Sequence, residues 1–229
     1  MGIYNAPILK IDANETKRYA GLNRAENFDE KKIIEACDET LIFLEVRGIW
    51  KIYDYDCENK IVMSEPNFKI QGKSIEKHLS GCEKVICMAV TVGEKIEQEI
   101  TKRFRQGNYL ESMLMDAAAT CAVEQAADSL EKAVEREISK ESYKMRWRYS
   151  PGYGDWSLSQ QKNFFHVTCA EEIGMSLSSA MMLIPRKSVT AIIGLEKILE
   201  GEKNFANEKK SCENCDKKNC PARIFERKD

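Results

Sequence analysis

Val85-Ile86-Cys87-Met88-Ala89-Val90 is an unbroken apolar run, preceded by Lys84 and followed by Thr91-Val92-Gly93. It has the length of a strand, and its continuity predicts a strand covered on both faces. The residues around it follow other periods. Upstream, Ile49-Trp50-Lys51-Ile52-Tyr53, Ile61-Val62-Met63 and Phe68-Lys69-Ile70 are separated by Asn, Asp, Pro and Gly, and predict two or three short antiparallel strands. Downstream, Gly93 turns the chain into a helix carrying Ile96 and Ile100. After Gly107 comes the longest helical segment, about 109–139, rich in strong helix formers. Its small residues Ala117, Ala118, Ala119, Cys121, Ala122, Ala126 and Ala127 let other backbone approach closely.

Further out, Asp12-Ala13-Asn14-Glu15 has capping-box spacing and predicts a short helix to Gly21. A second helix begins near Asp29, with Ile33, Ile34, Cys37 and Leu41 on one face, and a third spans Ser74 to Leu79. Tyr143 to Arg148 predicts a strand, Ser157 with Gln160 the start of a helix, and Ser188 to Ile193 a last strand ending at Gly194. Strands and helices mix without regular βαβ alternation. The expected fold class is α+β, a mixed, largely antiparallel sheet with flanking helices.

The chain of 229 residues is long enough for one large domain, read as residues 1–199, followed by a polar tail, 200–229. Its 35 basic and 37 acidic side chains are interspersed, with no basic stripe, which argues against nucleic acid as a partner. No stretch approaches the roughly 18 apolar residues of a membrane helix. Met1-Gly2-Ile3-Tyr4-Asn5 lacks the basic and apolar regions of a signal peptide, so the expected location is cytoplasmic. In a reducing compartment the nine cysteines are packing residues, metal ligands or reactive thiols rather than disulfides. Cys212-x2-Cys215-x4-Cys220 has ligand-like spacing for zinc or an iron–sulfur cluster, with any fourth ligand drawn from Cys37, Cys57, Cys82, Cys87 or Cys169. The other six cysteines read as packing.

Arg148-Tyr149-Ser150-Pro151-Gly152-Tyr153-Gly154-Asp155-Trp156 is the richest segment chemically. A strand ends in a guanidinium fork suited to a carboxylate or phosphate, Pro-Gly turns the chain, and two aromatics and an acid follow. This is a cradle for a zwitterionic small molecule, or a plain type II turn with core aromatics. Glu124 lies three residues after Cys121 and three before Ala127, on the small-residue stripe, where it could take an ammonium group; a slight rotation puts it on the solvated face beside a base. Glu76-Lys77-His78-Leu79-Ser80-Gly81 imitates part of a corrinoid-ligating signature but reads better as a helix C-terminus, and His166 as a surface histidine of an amphipathic helix. No H-E-x-x-H, P-loop, G-x-S-x-G or G-x-G-x-x-G is present, so the usual hydrolase, kinase and dinucleotide readings have no support.

Arg148-x-x-Pro151-Gly152-Tyr153, preceded by an Ala-rich helix with Val123-Glu124-Gln125-Ala126-Ala127-Asp128 and followed by Met181-Met182-Leu183-Ile184-Pro185-Arg186-Lys187-Ser188-Val189-Thr190, resembles the activation (reactivation) domain of cobalamin-dependent methionine synthase, above all its free-standing forms. The resemblance spans roughly Ile11 to Leu195. It implies an α+β fold and binding of S-adenosylmethionine, whose methyl group, with an electron from a flavodoxin- or ferredoxin-type donor, restores methylcobalamin on a corrinoid-bearing methionine synthase subunit. It also implies a methyltransferase component active only with that partner. By the same resemblance Arg148 holds the methionyl carboxylate, Glu124 the α-amino group, and Ser150, Pro151, Gly152 and Tyr153 present backbone and a ring. The family's early acidic ligand has no match at Asp12, Asp29 or Asp38, and its aromatic pair after the last strand is absent here. Two other readings stand beside it: a metal- or iron–sulfur-binding interaction protein working through the tail cysteines, and a reactivator of another corrinoid methyltransferase.

Overall fold

The apolar run at 85–90 lies inside a seven-stranded sheet in the computed structural model, which describes residues 2–198 apart from Glu26 and Lys140. In chain order the elements are β1 (Gly2–Tyr4), α1 (Ala13–Tyr19), α2 (Glu30–Phe43), β2 (Arg47–Asp56), β3 (Ile61–Val62), β4 (Phe68–Lys69), α3 (Lys73–His78), β5 (Lys84–Thr91), α4 (Lys95–Arg105), α5 (Tyr109–Ile138), β6 (Tyr143–Met145), α6 (Gln161–Thr168), β7 (Ser176–Leu177), β8 (Leu183–Ile184) and β9 (Ser188–Lys197). Short 3₁₀ turns at Leu158–Gln160 and Ala170–Ile173 flank α6. The sheet order is β4-β3-β2-β5-β9-β6 with β1 beside β2, every pairing antiparallel, and β7-β8 form a separate hairpin.

Both faces of this sheet are covered, which explains why β5 shows no polar alternation. Ile86, Met88 and Val90 point, with Ala191, Ile193 and Leu195 of β9, into a core shared with Ala118, Ala122 and Leu130 of α5. Val85, Cys87 and Ile192 point the other way, into a core with Ile75, Trp156 and Phe164, and Ala89 joins a third cluster with Ile49, Phe165 and Ile173. Ala117, Ala118, Ala119, Ala122, Ala126 and Ala127 of α5 are buried, so the longest helix lies close to the sheet along much of its length.

Asp12 caps α1, its Oδ1 accepting from Asn14 N (2.8 Å) and Glu15 N (3.0 Å). The capping box is only half formed. Glu15 turns to Arg18 (2.5 Å), and Gln125 of α5 accepts from Asp12 N instead (3.1 Å). In α2 the buried set is Ile33, Ala36, Cys37 and Thr40, and Ile34 is exposed, because the helix is rotated toward its smaller residues. Gln160 is the last residue of a 3₁₀ turn and does not close a box with Ser157; its Oε1 accepts from Trp156 Nε1 (2.6 Å) and Gln71 N (3.1 Å).

Gly194 does not end the last strand, which continues to Lys197. Its missing side chain has a packing reason. A Cβ there would lie 2.5 Å from Cys82 Sγ and 3.1 Å from Leu79 Cδ2. Gly194→Ala is therefore expected to destabilise the fold by about 1–3 kcal/mol in urea unfolding, and Cys82→Ala in the same chain to recover part of the loss. Additive effects of the two substitutions would disprove the steric account.

Candidate functional site

The path from β6 into the turn is irregular, and the irregularity aims the key side chain. Met145 pairs with Leu195 and Tyr149 with Ile192, so 145→149 on the edge chain faces 195→192 on β9. One extra residue is accommodated, a β-bulge, and the continuous strand expected to Arg148 stops at Met145. Arg146 reaches the α3 side, donating to His78 O (2.9 Å) and Ser80 O (2.8 Å), and Tyr149 packs in the core on that same side. Arg148 is thrown to the opposite side, onto α5.

There Arg148 meets three carboxylates spaced i, i+4 and i+7 along one helix face. Its Nη1 donates to Asp128 Oδ1 (2.7 Å) and Glu131 Oε2 (2.8 Å), and its Nη2 to Glu124 Oε2 (3.3 Å). The Arg148 side chain is 18% exposed and Glu131 16%, whereas Glu124 is 41% exposed at the rim. Burial pulls the guanidinium pKa down, Glu131 and then Asp128 push it up, and the net direction is up. Asp128 and Glu131 were not singled out from sequence; their helical spacing from Glu124 is the signal that would have found them.

Ser150 to Tyr153 closes a turn, with Tyr153 N donating to Ser150 O (3.0 Å) and Gly152 at φ +92°, the positive angle a type II turn requires at that position. The two aromatics separate. Trp156 is core, and Tyr153 is 53% exposed, edge-on to Tyr149. Desolvation first, and then the charge of Glu124, raises the Tyr153 hydroxyl pKa. Glu124, Glu131, Trp147, Arg148, Ser150, Tyr153 and Val189 line a cleft of about 290 Å³. Of the sequence-derived set, Glu124, Arg148, Ser150 and Tyr153 thus converge on one cleft, while Pro151 is buried and Gly152 exposed in the turn that forms its rim.

The acid of this segment has a structural task. Asp155 accepts from Lys73 N (2.9 Å) and Ser74 N (2.8 Å), capping α3 in place of Gly72, which has no side chain to do so. His78 is buried at the end of α3, its Nε2 2.9 Å from Trp147 O and its ring against Trp147 and Tyr149, and His166 is exposed beside Glu171. Cys37, Cys82, Cys87 and Cys121 are buried, and burial raises each thiol, Cys82 and Cys121 to about 11, as inert packing requires. Among the described residues no group of three His, Cys, Asp or Glu side chains could hold a metal ion, and no helix is long and apolar enough to cross a membrane. Cys212, Cys215 and Cys220 lie outside the described residues.

The chain is thus an α+β domain with its sheet covered on both faces and an acid–arginine cleft at one sheet edge. More narrowly, the chain belongs to the vitamin B12 dependent methionine synthase activation domain family, whose model matches residues 64–197, more than half of its length. Among solved structures it is similar to one described as "Crystal Structure of the MetH Reactivation Domain bound to AdoHcy", with 13% identity, a TM-score of 0.57, and coverage of 90% of this chain and 81% of that one. That likeness concerns the fold. No curated protein matches the chain.

The backbone hydrogen bonds from Ser74 and Lys73 hold the Asp155 carboxyl below its ordinary pKa, the one to Ser74 contributing most. A depressed folded pKa adds stability that is present above the unfolded value, about 3.9, and is lost as pH falls through the folded one. Asp155→Ala is expected to lower the urea midpoint at pH 7 and to converge on the parent chain in acid; a gap that stays constant with pH would refute the charge-assisted cap.

Proposed function

We propose that this chain binds S-adenosylmethionine in the Arg148 cleft and serves as the reactivation component of a cobalamin-dependent methionine synthase whose corrinoid is held by another subunit. The observation that carries this reading is the bulge-directed Arg148 facing Glu124 across a cleft that Trp147 and Tyr153 also line. A methionyl group carries a carboxylate and an ammonium. The first fits the guanidinium fork, the second the Glu124 carboxylate.

Glu124 makes the longest of the three contacts to Arg148 and is, like Asp128, far more exposed than Glu131. The zwitterion can therefore displace Glu124 from Arg148 and pair with both, while Asp128 and Glu131 keep the guanidinium in place. Trp147 and Tyr153 offer ring faces to the sulfonium, and the Ser150–Tyr153 turn offers backbone polar groups. A sulfonium methyl needs no general base, so the work of these residues is positioning. When present on the partner, reduced cobalamin supplies the nucleophile that accepts the methyl group; the electron comes from a flavodoxin- or ferredoxin-type protein. Residues 1–199 form the binding domain in this reading, and the C-x2-C-x4-C spacing of the tail favours zinc or an iron–sulfur cluster there, which metal analysis and a visible spectrum of anaerobically prepared protein would detect.

Calorimetric titration with S-adenosylmethionine should show binding that Arg148→Ala weakens by at least about 30-fold, since a desolvated charge partner is lost. Glu124→Gln should weaken it by about 5–10-fold, because the amide still accepts a hydrogen bond. Unchanged affinity in Arg148→Ala would sink the site. For the role, the chain is mixed with a cob(II)alamin-loaded methionine synthase partner, a reductant and S-adenosylmethionine, and methylcobalamin is followed by absorbance; no increase over the mixture lacking this chain would count against it.

A further inference from the structure

Lys51 stands on β2 directly opposite Cys87 of β5, on the face of the sheet that α6 covers. Cys169 follows the last residue of α6 and is one of four non-glycine residues at positive φ (+55°) among the described residues, between α6 and the next 3₁₀ turn. The Lys51 Nζ to Cys169 Sγ distance is 2.6 Å. The sulfur also lies 3.5 Å from His166 O. An amine and a sulfur are thus in direct contact, the arrangement a near-attack pair requires.

The pair is held from both sides. Cys169 N donates to His166 O (3.0 Å), fixing the left-handed residue at the helix end. The Tyr53 hydroxyl, one strand repeat along β2 from Lys51, donates to Val167 O (2.9 Å) and ties β2 to the same turn of α6. Both Lys51 and Cys169 are partly exposed, so small solutes reach them. Cys57, the other partly exposed cysteine among the described residues, has its sulfur against the Leu79 carbonyl and the Gly81 amide, and the nearby Lys60 amine is taken up by the Cys57 and Glu58 carbonyls (3.0 Å each). Cys57 serves as an internal comparison.

We propose that Lys51 and Cys169 form a peroxide-dependent modification site whose product is a lysine–cysteine sulfenamide. In the first step the Cys169 sulfur attacks hydrogen peroxide. An S–O bond forms and the O–O bond breaks; sulfur loses two electrons, peroxide is reduced to water, and Cys169 becomes the sulfenic acid. In the second, Lys51 gives one proton to solvent and its neutral Nζ attacks that sulfur. An N–S bond forms, the S–O bond breaks, and hydroxide leaves with a proton from the nitrogen as water, with no further oxidant. A first thiol attacks the sulfur and frees the amine, leaving a mixed disulfide on Cys169; a second thiol attacks the first, releasing Cys169 as the thiol and the two reductant sulfurs as a disulfide. The bond staples β2 to the end of α6, on the side of the sheet away from the Arg148 cleft.

The test treats the reduced full chain with hydrogen peroxide, with and without dimedone, and maps peptides by mass. The expected product joins the Lys51 and Cys169 peptides at a mass lower by two hydrogens and disappears on thiol treatment. Because the tethered amine acts at an effective concentration on the order of 10⁵ M or more, it outcompetes millimolar dimedone in the parent chain. Lys51→Arg should abolish the cross-link and raise dimedone labelling of Cys169 by about tenfold, leaving Cys57 labelling unchanged; Cys169→Ser should abolish the cross-link. Equal dimedone labelling of Cys169 in the parent and Lys51→Arg chains, or oxidation of Cys169 to sulfinic acid with no joined peptide, would overturn the proposal. None of these outcomes depends on S-adenosylmethionine binding.

Discussion

A sheet buried on both faces leaves a ligand only its edges, and this constraint governs the rest of the molecule. β5 and β9 spend nearly all their side chains on the cores above and below them. Antiparallel sheets commonly leave one face to water; here α5 and its neighbours cover one side, and α3, α6 and the β7-β8 hairpin the other. The place where polar chemistry can gather without leaving buried groups unsatisfied is the rim, where β6 stops after three residues and the chain turns away. The bulge at 146–148 follows from the same economy of space. It lets Arg146 and Tyr149 serve the α3 side while Arg148 crosses to α5.

The electrostatics of that rim are unusual in their proportions. One largely buried guanidinium is met by three acids, each more distal acid one helical repeat along α5. A buried ion pair contributes little net stability once desolvation is counted, but removing one partner is costly because the other charge stays behind. Three acids make Arg148 tolerant of losing one of them. A site that must exchange an internal carboxylate for a ligand carboxylate gains from this redundancy, since the guanidinium is never left alone during the exchange. Asp128 and Glu131 make the short contacts to Arg148 (2.7 and 2.8 Å) and Glu124 the long one (3.3 Å), so Glu124 is the acid that the proposed exchange would release.

How much of this the sequence discloses depends on the range over which each signal acts. Local signals carried over well: the run at 85–90, the helix of about 109–139, the Asp12 cap, the helix start near Asp29 and the Pro151-Gly152 turn all appear with small boundary shifts. Signals that depend on the partner surface did not. Ile34 is exposed because the rotation of α2 is decided by α5, and Gly194 looked like a terminator because Cys82 and Leu79, which fill its vacant side-chain space, arrive from more than a hundred residues earlier. Arg148 and Glu124 were legible as a complementary pair, but the bulge that joins them was not, since an extra residue in a pairing register exists only once both strands are known. Asp155 was read as part of a ligand cradle and instead caps a helix 81 residues away in sequence, a relation with no local pattern.

The cysteines show why composition alone could not sort structure from chemistry. Cys37, Cys82, Cys87 and Cys121 are surrounded by apolar atoms, and burial holds them as thiols. Cys57 and Cys169 share the same intermediate exposure, so burial does not separate them. What does is the neighbour of the sulfur: a carbonyl and an amide for Cys57, whose nearby Lys60 amine is taken up by backbone carbonyls, and the Lys51 amine for Cys169. That neighbour is set by strand register, because Lys51 reaches Cys169 only if it sits on the α6 face, and a slip of one residue in β2 would turn it toward the α5 core, the side Trp50 now fills. The same register buries Ile49 and Trp50 on opposite faces, so the hydrophobic pattern that fixes the sheet also fixes the chemistry of this pair.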